Sequence, residues 1–321
     1  MKTYNILIIA IALVGSIFLS CNKEDENPST DTPDPTTETE EPSAVDLRNF
    51  FLDNRENKVQ SFTEDASSSI TITTNSGSTF GFVASSFQKA DGSVVSGNID
   101  IEIIELLDKR DMVLTNTPTM GNLQNGGRAP LISGGQFRIT ASQNGEELEL
   151  RNGYNVTAQI TAPNGVDLNM EAFYGTTTDD TLTWDSVDSS LVFGQGNTYT
   201  AFFDSINWIN LDYFMNSGGN NTQVEVELPQ GFNNTNVALF VSFDGMNSLA
   251  NLYNGQNNVF TTNPYEIPVG TSVHFIAVAF INGDPHAAIV PATIGNNHYE
   301  VISALTQTTP AQLQSDLDAL P

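Results

Sequence analysis

Alternation of apolar and polar residues between short turn signals is the feature that most limits how this chain folds. Residues 98–103 read Asn-Ile-Asp-Ile-Glu-Ile, which places the isoleucines on one face of a strand and the acids on the other. Asp91-Gly92 and Asn144-Gly145 are turn dipeptides that accept the positive φ angles of tight hairpins. Short strands joined by such turns are typical of β-sandwiches.

Further strands are predicted along most of the chain. The clearest hairpin is near the end, where residues 272–281 and 287–294 flank an Asn282-Gly283 turn. The first arm of this hairpin is nearly all apolar, which predicts a central strand buried on both faces. The other predicted strands lie at residues 70–73, 80–83, 136–141, 148–150, 154–162, 182–184, 199–203, 223–228 and 237–243.

The chain is therefore predicted to be all-β, with two tandem antiparallel β-sandwich domains after a disordered tether. A change of composition at Pro163-Asn164-Gly165 sets the predicted boundary between them. The first domain is predicted over residues 46–163 and the second over residues 164–321.

Helix signals occur at both ends of the folded part. Residues 45–52 hold apolar side chains at helical spacing and predict a short helix. A short C-terminal helix is predicted because Thr309 is a good N-cap, Pro310 suits the first position and Gln312 has capping-box spacing. The apolar face of that helix would be formed by Leu313, Leu317 and Leu320.

The N-terminus has the pattern of a secretory signal. Lys2 precedes an apolar run of 13 residues, 6–18, which is shorter than the roughly 20 residues that span a bilayer. The run ends at Ser20-Cys21, which resembles a bacterial lipobox and contains the only cysteine of the chain. We therefore predict a lipoprotein signal peptide over residues 1–20 and lipidation of Cys21. An ordinary signal or a buried cysteine is the alternative.

A polar, acidic segment follows the cysteine. No apolar residue occurs between positions 22 and 43, so residues 21–45 are predicted to be the lipidated cysteine and a disordered tether. Its start resembles the surface-export signal of Bacteroidota lipoproteins, which predicts an outer-membrane anchor that faces the extracellular side. The alternative is the start of a solvated linker. The residues of this signal are Lys23, Glu24, Asp25 and Glu26.

Charge and cysteine content exclude several classes of protein. The chain has 38 Asp+Glu against 11 Lys+Arg, a formal net charge of −27. A nucleic-acid partner is excluded because binding needs a basic surface that displaces counterions. The single cysteine excludes an intramolecular disulfide framework and a cysteine-based zinc site.

Several strings resemble a known family. They lie at residues 77–87, 97–105, 133–137 and 145–150, and the most specific are 111–120 and 208–214. Together with the lipobox they resemble the ZU5 β-sandwich, in the divergent form of uncharacterised flavobacterial lipoproteins from Bacteroidota.

ZU5 modules act in scaffolding and protein–protein contact, and some cleave themselves at a His-Phe-Ser step. This chain has His274-Phe275-Ile276 instead, and isoleucine is no nucleophile. The resemblance therefore implies a non-catalytic module.

Histidines, clustered acids and Ser/Thr sequons are the candidates for metal binding or modification. His274, His286 and His298 are 12 residues apart, but structural roles for them are favoured over a metal site, and no cofactor is predicted. Acidic residues within 179–188 favour a solvated loop over calcium, since the spacing of a defined calcium loop is missing. Asp-Ser/Thr-aliphatic sequons in the exported chain make three residues candidate O-glycosylation sites, namely Thr181, Ser186 and Ser205.

No catalytic residue is predicted. The chain contains neither a Gly-x-Ser-x-Gly elbow, a His-Glu-x-x-His motif nor a phosphate-binding loop, and its many acids single out no pair for glycoside hydrolysis. Aromatic residues could form a glycan-stacking platform, although core packing is the ordinary role of aromatics in sandwiches. The candidates for stacking are Tyr174, Trp184, Tyr199, Trp208, Tyr213 and Tyr253.

The sequence thus predicts a lipid-anchored, surface-exposed, non-catalytic binding or scaffold lipoprotein. Its partners would be the membrane, through Cys21, and an unknown protein or glycan. The alternative is a carbohydrate- or small-ligand-binding lipoprotein of an outer-membrane uptake system.

Overall fold

The structure, a computed structural model, describes residues 41–162, 165–178, 181–187, 192–215, 219–253 and 255–321. The predicted signal peptide, Cys21 and the acidic residues after it lie outside the described residues. Residues Glu40–Pro321 form one compact unit. The prediction of an all-β fold with a short C-terminal helix is confirmed, since 51% of the structure is strand and 10% is helix.

The described residues contain three helices and 25 strands, numbered in chain order. The first half, residues 41–215, contains α1 Ala44–Glu56, β1 Gln60–Asp65, β2 Ile70–Thr73, β3 Thr79–Phe82, β4 Phe87–Gln88, β5 Asn98–Leu106, α2 Lys109–Leu114, β6 Met120–Asn122, β7 Arg128–Gln143, β8 Glu146–Glu147, β9 Glu149–Leu150, β10 Val156–Thr161, β11 Glu171–Thr178, β12 Thr181–Ser186, β13 Val192–Gln195, β14 Thr198–Phe203 and β15 Asn207–Phe214.

The second half, residues 219–321, contains β16 Asn221–Thr222, β17 Val224–Glu227, β18 Val237–Phe243, β19 Leu249–Leu252, β20 Val259–Thr261, β21 Ile267–Pro268, β22 Ser272–Ile281, β23 Asp284–Thr293, β24 His298–Val301, β25 Thr306–Gln307 and α3 Pro310–Asp318.

Two sheets of the first half enclose its core. One has the strand order β1-β5-β7-β15-β11-β12-β6, with β8 also paired to β7, and the other has the order β13-β14-β10-β3-β2. The predicted alternation in β5 is confirmed, because Ile99, Ile101 and Ile103 are buried and Asp100 and Glu102 are exposed. These isoleucines pack in the same cluster as residues of β3, β7 and β10.

The second half has its own core around β22. The main sheet has the order β19-β18-β22-β23-β25, and a three-stranded sheet has the order β20-β17-β24. The strand β22 pairs with β18 on one side and β23 on the other, and its interior residues are buried, so the predicted central strand is confirmed. Asn282 and Gly283 both have positive φ angles in the turn between β22 and β23.

The predicted domain boundary between residues 163 and 164 does not separate the sheets, because strands on its two sides pair with each other. Strand β14 pairs with β10, and β15 pairs along most of its length with β7, so strands after residue 164 complete the sheets of the first half. The arrangement of two tandem sandwiches is accordingly not confirmed. Pairing between strands distant in sequence outweighs the local change of composition.

All three helices pack on one face of the sheet β19-β18-β22-β23-β25. Helix α1 is longer than predicted and is capped by Ser43, whose Oγ accepts a hydrogen bond from the Asp46 N–H at 3.2 Å. The predicted C-terminal helix is confirmed, with Thr309 Oγ1 accepting from the Gln312 N–H at 3.1 Å. Helix α2 was not predicted. Apolar side chains of the helices meet Phe240 and Ile276 in one cluster.

None of the helices among the described residues combines the length and the apolar character needed to cross a membrane.

A buried polar cluster connects the two halves. The Ser133 N–H donates to the Asn247 carbonyl at 2.9 Å, and the Asn247 side-chain amide donates back to the Ser133 carbonyl at 2.9 Å. Ser133 Oγ donates to Asn210 Oδ1 at 3.0 Å, and the Asn210 amide donates to Asp212. The Gln136 amide reaches the carbonyl of residue 117. Strings 111–120, 133–137 and 208–214, which carry the family resemblance, therefore meet in this cluster.

Asp212 is fully buried in the cluster, and Oδ1 of its carboxyl group has no hydrogen-bond partner among the described residues. Burial raises the pKa of Asp212 well above its ordinary value, and the nearby Ser133 hydroxyl group opposes this shift to a smaller extent. The folded chain thus binds this proton more tightly than the unfolded chain, whose Asp pKa is about 3.9. Its contribution to stability is lost as the pH rises from about 4 through the folded-state pKa.

Asp212→Asn is expected to remove this pH dependence, because the asparagine has no charge to bury. The free energy of unfolding of the variant should exceed that of the wild type by about 1–3 kcal/mol at pH 8. At pH 4 the two values should be nearly equal. Urea unfolding at both pH values measures this, with Asp185→Asn as the control at an exposed aspartate. A lower free energy of unfolding for Asp212→Asn at pH 8 would contradict the argument.

Candidate ligand-binding site

A cleft of about 670 Å³ lies between helix α1, the end of the β11–β12 hairpin and the strands β18 and β19. Its volume is within the roughly 300–1,000 Å³ of typical small-ligand sites. It is hereafter called the α1 cleft. Both halves of the described fold contribute to its walls.

Helix α1 forms one wall through residues on a single face. Leu47 and Phe51 are one turn apart and buried, and Arg48 and Arg55 are two turns apart and border the cleft. The guanidinium group of Arg55 donates to the carbonyl of Thr115 at 2.7 Å and to that of the next residue at 3.3 Å. These bonds fix Arg55 in the wall. Arg48 is exposed and forms no ion pair or hydrogen bond with the described residues.

The sheet that contains β12 and β15 forms another wall, which includes an aromatic residue. Trp208 lines the cleft and is 8% exposed, beside Leu182 of β12. The absence of a side chain at Gly175 makes this packing feasible, because a Cβ there would lie 2.6 Å from Trp208 Cβ and 2.9 Å from Leu182 Cδ1. Trp184 supports the wall from inside, edge to face with Trp208 at 6.2 Å between ring centres.

Tyr253 closes the end of the cleft next to β19. Its hydroxyl group donates to Oε1 of the buried Glu266 at 3.0 Å, and the side-chain amide of Asn263 donates to the same hydroxyl at 2.7 Å. The guanidinium carbon of Arg128 lies 4.2 Å from the ring centre of Tyr253. Burial and the neighbouring Glu266 carboxylate raise the pKa of Tyr253, so it is neutral at physiological pH. The ring is thus held on several sides.

Amide and hydroxyl groups complete the lining. Asn234 and Thr235 are exposed turn residues at the rim, and Thr177 is exposed at the end of β11. Asn251 lies in the wall on β19, and its buried Oδ1 has no hydrogen-bond partner among the described residues. A buried amide oxygen without a partner is costly, so the Asn251 side chain is an unsatisfied polar group in the wall of the cleft.

The charge of the lining differs from the charge of the whole chain. The described lining residues include two arginines and no Asp, Glu or His. A smaller adjoining cleft, about 370 Å³, shares Leu52 and Arg55 but carries both signs of charge, since Glu102 and two acids of α1 line it with Arg138. Of the described lining residues, carboxylates therefore occur in the smaller cleft and not in the α1 cleft, whereas Arg55 borders both.

The three candidate O-glycosylation sites have different surroundings. Ser186 and Ser205 are exposed, and Ser205 Oγ donates to the Ile206 carbonyl at 3.2 Å. Thr181 is half-buried in the wall of the α1 cleft. A glycan on Thr181 would occupy the cleft, so the geometry favours the two serines as accessible positions.

The acidic stretch 179–188 is described in part. Asp185 accepts hydrogen bonds from the Asn122 side chain at 2.9 Å and from Thr176 Oγ1 at 3.4 Å. Asp179, Asp180 and Asp188 lie outside the described residues. Among the described residues, no group of three or more His, Cys, Asp and Glu side chains is placed to hold a metal ion.

The histidines have separate partners. His274 Nδ1 lies 2.7 Å from Asp244 Oδ1, and the ring of His298 stacks on Phe275. His274 and His286 pair with residues of the same hairpin at positions five residue pairs apart, about 17 Å along the strands. The equal spacing in sequence therefore does not place these two side chains together.

The proposed aromatic platform is only partly available for stacking. Trp184 is fully buried, and Tyr199 is 3% exposed with its hydroxyl bonded to the Asp167 N–H, so neither presents a free face. Tyr174 donates to Asp204 at 2.5 Å. Of the six candidates, Trp208 and Tyr253 line the α1 cleft.

Arg48, Arg55, Asn234 and Asn251 were not identified from the sequence. One signal was present, because two arginines seven residues apart on a helix lie on the same face. The asparagines carry no such signal in a chain rich in this residue.

No protein-family model matches the chain, and no curated protein matches it. The resemblance to ZU5-like lipoproteins therefore stays a prediction.

Proposed function

We propose that this chain is a lipid-anchored, non-catalytic binding protein of the outer membrane that holds a small ligand or carbohydrate in the α1 cleft. The observation that carries the proposal is the cleft itself. It is about 670 Å³ in volume and combines Trp208 and Tyr253 with unpaired polar groups such as Asn251. Apolar walls with a few converging polar groups are characteristic of ligand sites.

The lining supports binding rather than catalysis. General acid–base chemistry near neutral pH uses carboxylates, imidazoles or perturbed lysines. The described lining contains none of these, and its one phenol, Tyr253, is engaged with Glu266 and has a raised pKa. The scaffold function inferred from the family resemblance is the second candidate, and it predicts no small ligand in this cleft.

Asn234→Trp is expected to block the cleft without affecting the fold. Asn234 is an exposed turn residue, and an indole at this position fills the mouth of the cleft. Ligands found by a thermal-shift screen of oligosaccharides should stabilise the wild type by several degrees and the variant by less than about one degree.

The matched control is Asn152→Trp, which places the same side chain on an exposed turn outside both clefts. It should respond to the ligand like the wild type. A screen in which no oligosaccharide or small molecule shifts the melting temperature would contradict the proposal and favour the scaffold function.

A further inference from the structure

We infer that the ligand of the α1 cleft is an acidic oligosaccharide, bound through a carboxylate or sulfate group at Arg48. This inference rests on the proposed function, because it names the ligand class of the same cleft. The juxtaposition that supports it is an exposed arginine without a protein partner beside two aromatic rings and an unpartnered amide.

Arg48 lacks the ion pairs that three of the nine described Lys and Arg side chains form. Lys58, Lys89 and Arg110 form ion pairs with acids at 2.5–3.3 Å. Arg48 has no such pair, although the chain has more than three times as many acids as bases. A planar guanidinium group with free N–H donors binds a carboxylate or sulfate through two parallel hydrogen bonds.

The remaining lining favours a sugar over an acidic peptide. Hydroxyl groups of a sugar both donate and accept, which suits the amide side chains of Asn234 at the rim and Asn251 in the wall. The C–H face of a sugar ring packs against an aromatic ring, which the half-buried Tyr253 provides, whereas Trp208 contributes only the 8% of its surface that is exposed.

The electrostatics of the cleft favour an anion at short range. At physiological ionic strength, charges beyond about 8 Å are largely screened, so distant acids of the strongly negative chain act only weakly on an anion bound at Arg48. The described lining has no carboxylate to compete for Arg48. Placement of an anionic group at Arg48 therefore gains attraction without displacing a carboxylate of the described lining.

The experiment uses the purified full-length protein and calorimetric titration with matched ligands. The acidic probes are trisaccharides of galacturonate, alginate and chondroitin sulfate, and the neutral probe is the galacturonate trisaccharide as its methyl ester. At least one acidic trisaccharide should bind, and the methyl ester should bind at least tenfold more weakly.

Arg48→Ala should weaken binding of the acidic trisaccharide about tenfold and flatten its dependence on salt. Alanine is a good helix former, and Arg48 makes no contact with the described residues through hydrogen bonds or ion pairs, so the fold should be unaffected. Lys89→Ala removes the same charge from a surface pair with Glu146 and should leave the affinity unchanged.

The outcomes separate this inference from the proposed function. Equal binding of acidic and neutral sugars, blocked by Asn234→Trp, would overturn the acidic ligand and leave the cleft as a binding site. Binding of oligoglutamate in place of every sugar, with the same loss in Arg48→Ala, would overturn the assignment to a sugar. Absence of binding by every probe would overturn the inference, and the wider ligand screen would then decide the proposed function.

Discussion

Trp184→Ala is expected to lower the free energy of unfolding by about 3–5 kcal/mol, the largest stability effect of any substitution considered for this chain. Trp184 is the largest fully buried side chain among the residues that the structure describes. Its removal leaves a cavity between β12 and β15, where Trp208 and Leu182 lose a packing partner. Its indole N–H donates to the Pro118 carbonyl at 2.9 Å, so the substitution also leaves that buried acceptor without a donor.

Trp184→Phe separates the two contributions. The phenyl ring retains much of the apolar volume but has no N–H donor, so its cost should be about 1–3 kcal/mol. Urea unfolding at neutral pH measures both variants. Equal losses of less than about 1 kcal/mol in Trp184→Ala and Trp184→Phe would show that the Trp184 site is not tightly packed.

Loss of Trp184 also has a consequence for the α1 cleft. Trp208 is supported by Trp184 on the side away from the cleft, and Gly175 leaves no side chain that could take its place. Ligand affinity in Trp184→Phe should therefore fall less than in Trp184→Ala.

Local patterns predicted local structure well. The alternation over residues 98–103 and the cap at Thr309 depend on interactions within a few residues, and both are present in the structure. Helix α2 was missed because it has only six residues, too few for a clear periodic pattern. The N-cap of α2, Asp108, accepts a hydrogen bond from the Asp111 N–H at 2.9 Å. An aspartate before charged residues also occurs in turns and loops, so it does not by itself predict a helix.

Long-range pairing was the part that sequence patterns did not reveal. Strand β15 pairs with β7, about 70 residues earlier, and nothing in either segment encodes that choice of partner. The α1 cleft depends on the same kind of information, because Arg48 and Asn234 line one cleft only after distant parts of the chain have packed together. Aromatic content alone did not distinguish Trp208 at the cleft from Trp184 inside the core.

Cys21→Ala is expected to remove the protein from the outer membrane almost completely. Stable attachment to a bilayer needs about two acyl chains, because each buried methylene contributes about 0.8 kcal/mol and one chain gives only reversible binding. The predicted lipidated cysteine would supply these chains, and the variant cannot. Cell fractionation should show at least a tenfold fall in the membrane-bound fraction of the variant.

Protease treatment of intact cells tests the direction in which the anchor faces. The wild type should be digested, whereas a variant with Glu24, Asp25 and Glu26 changed to alanine should stay membrane-bound but protected, because it keeps the lipid and loses the predicted export signal. Digestion of both proteins would show that the acidic residues act only as a solvated tether. Protection of the wild type in intact cells, with digestion after lysis, would place the cleft in the periplasm and redirect the ligand search to periplasmic sugars.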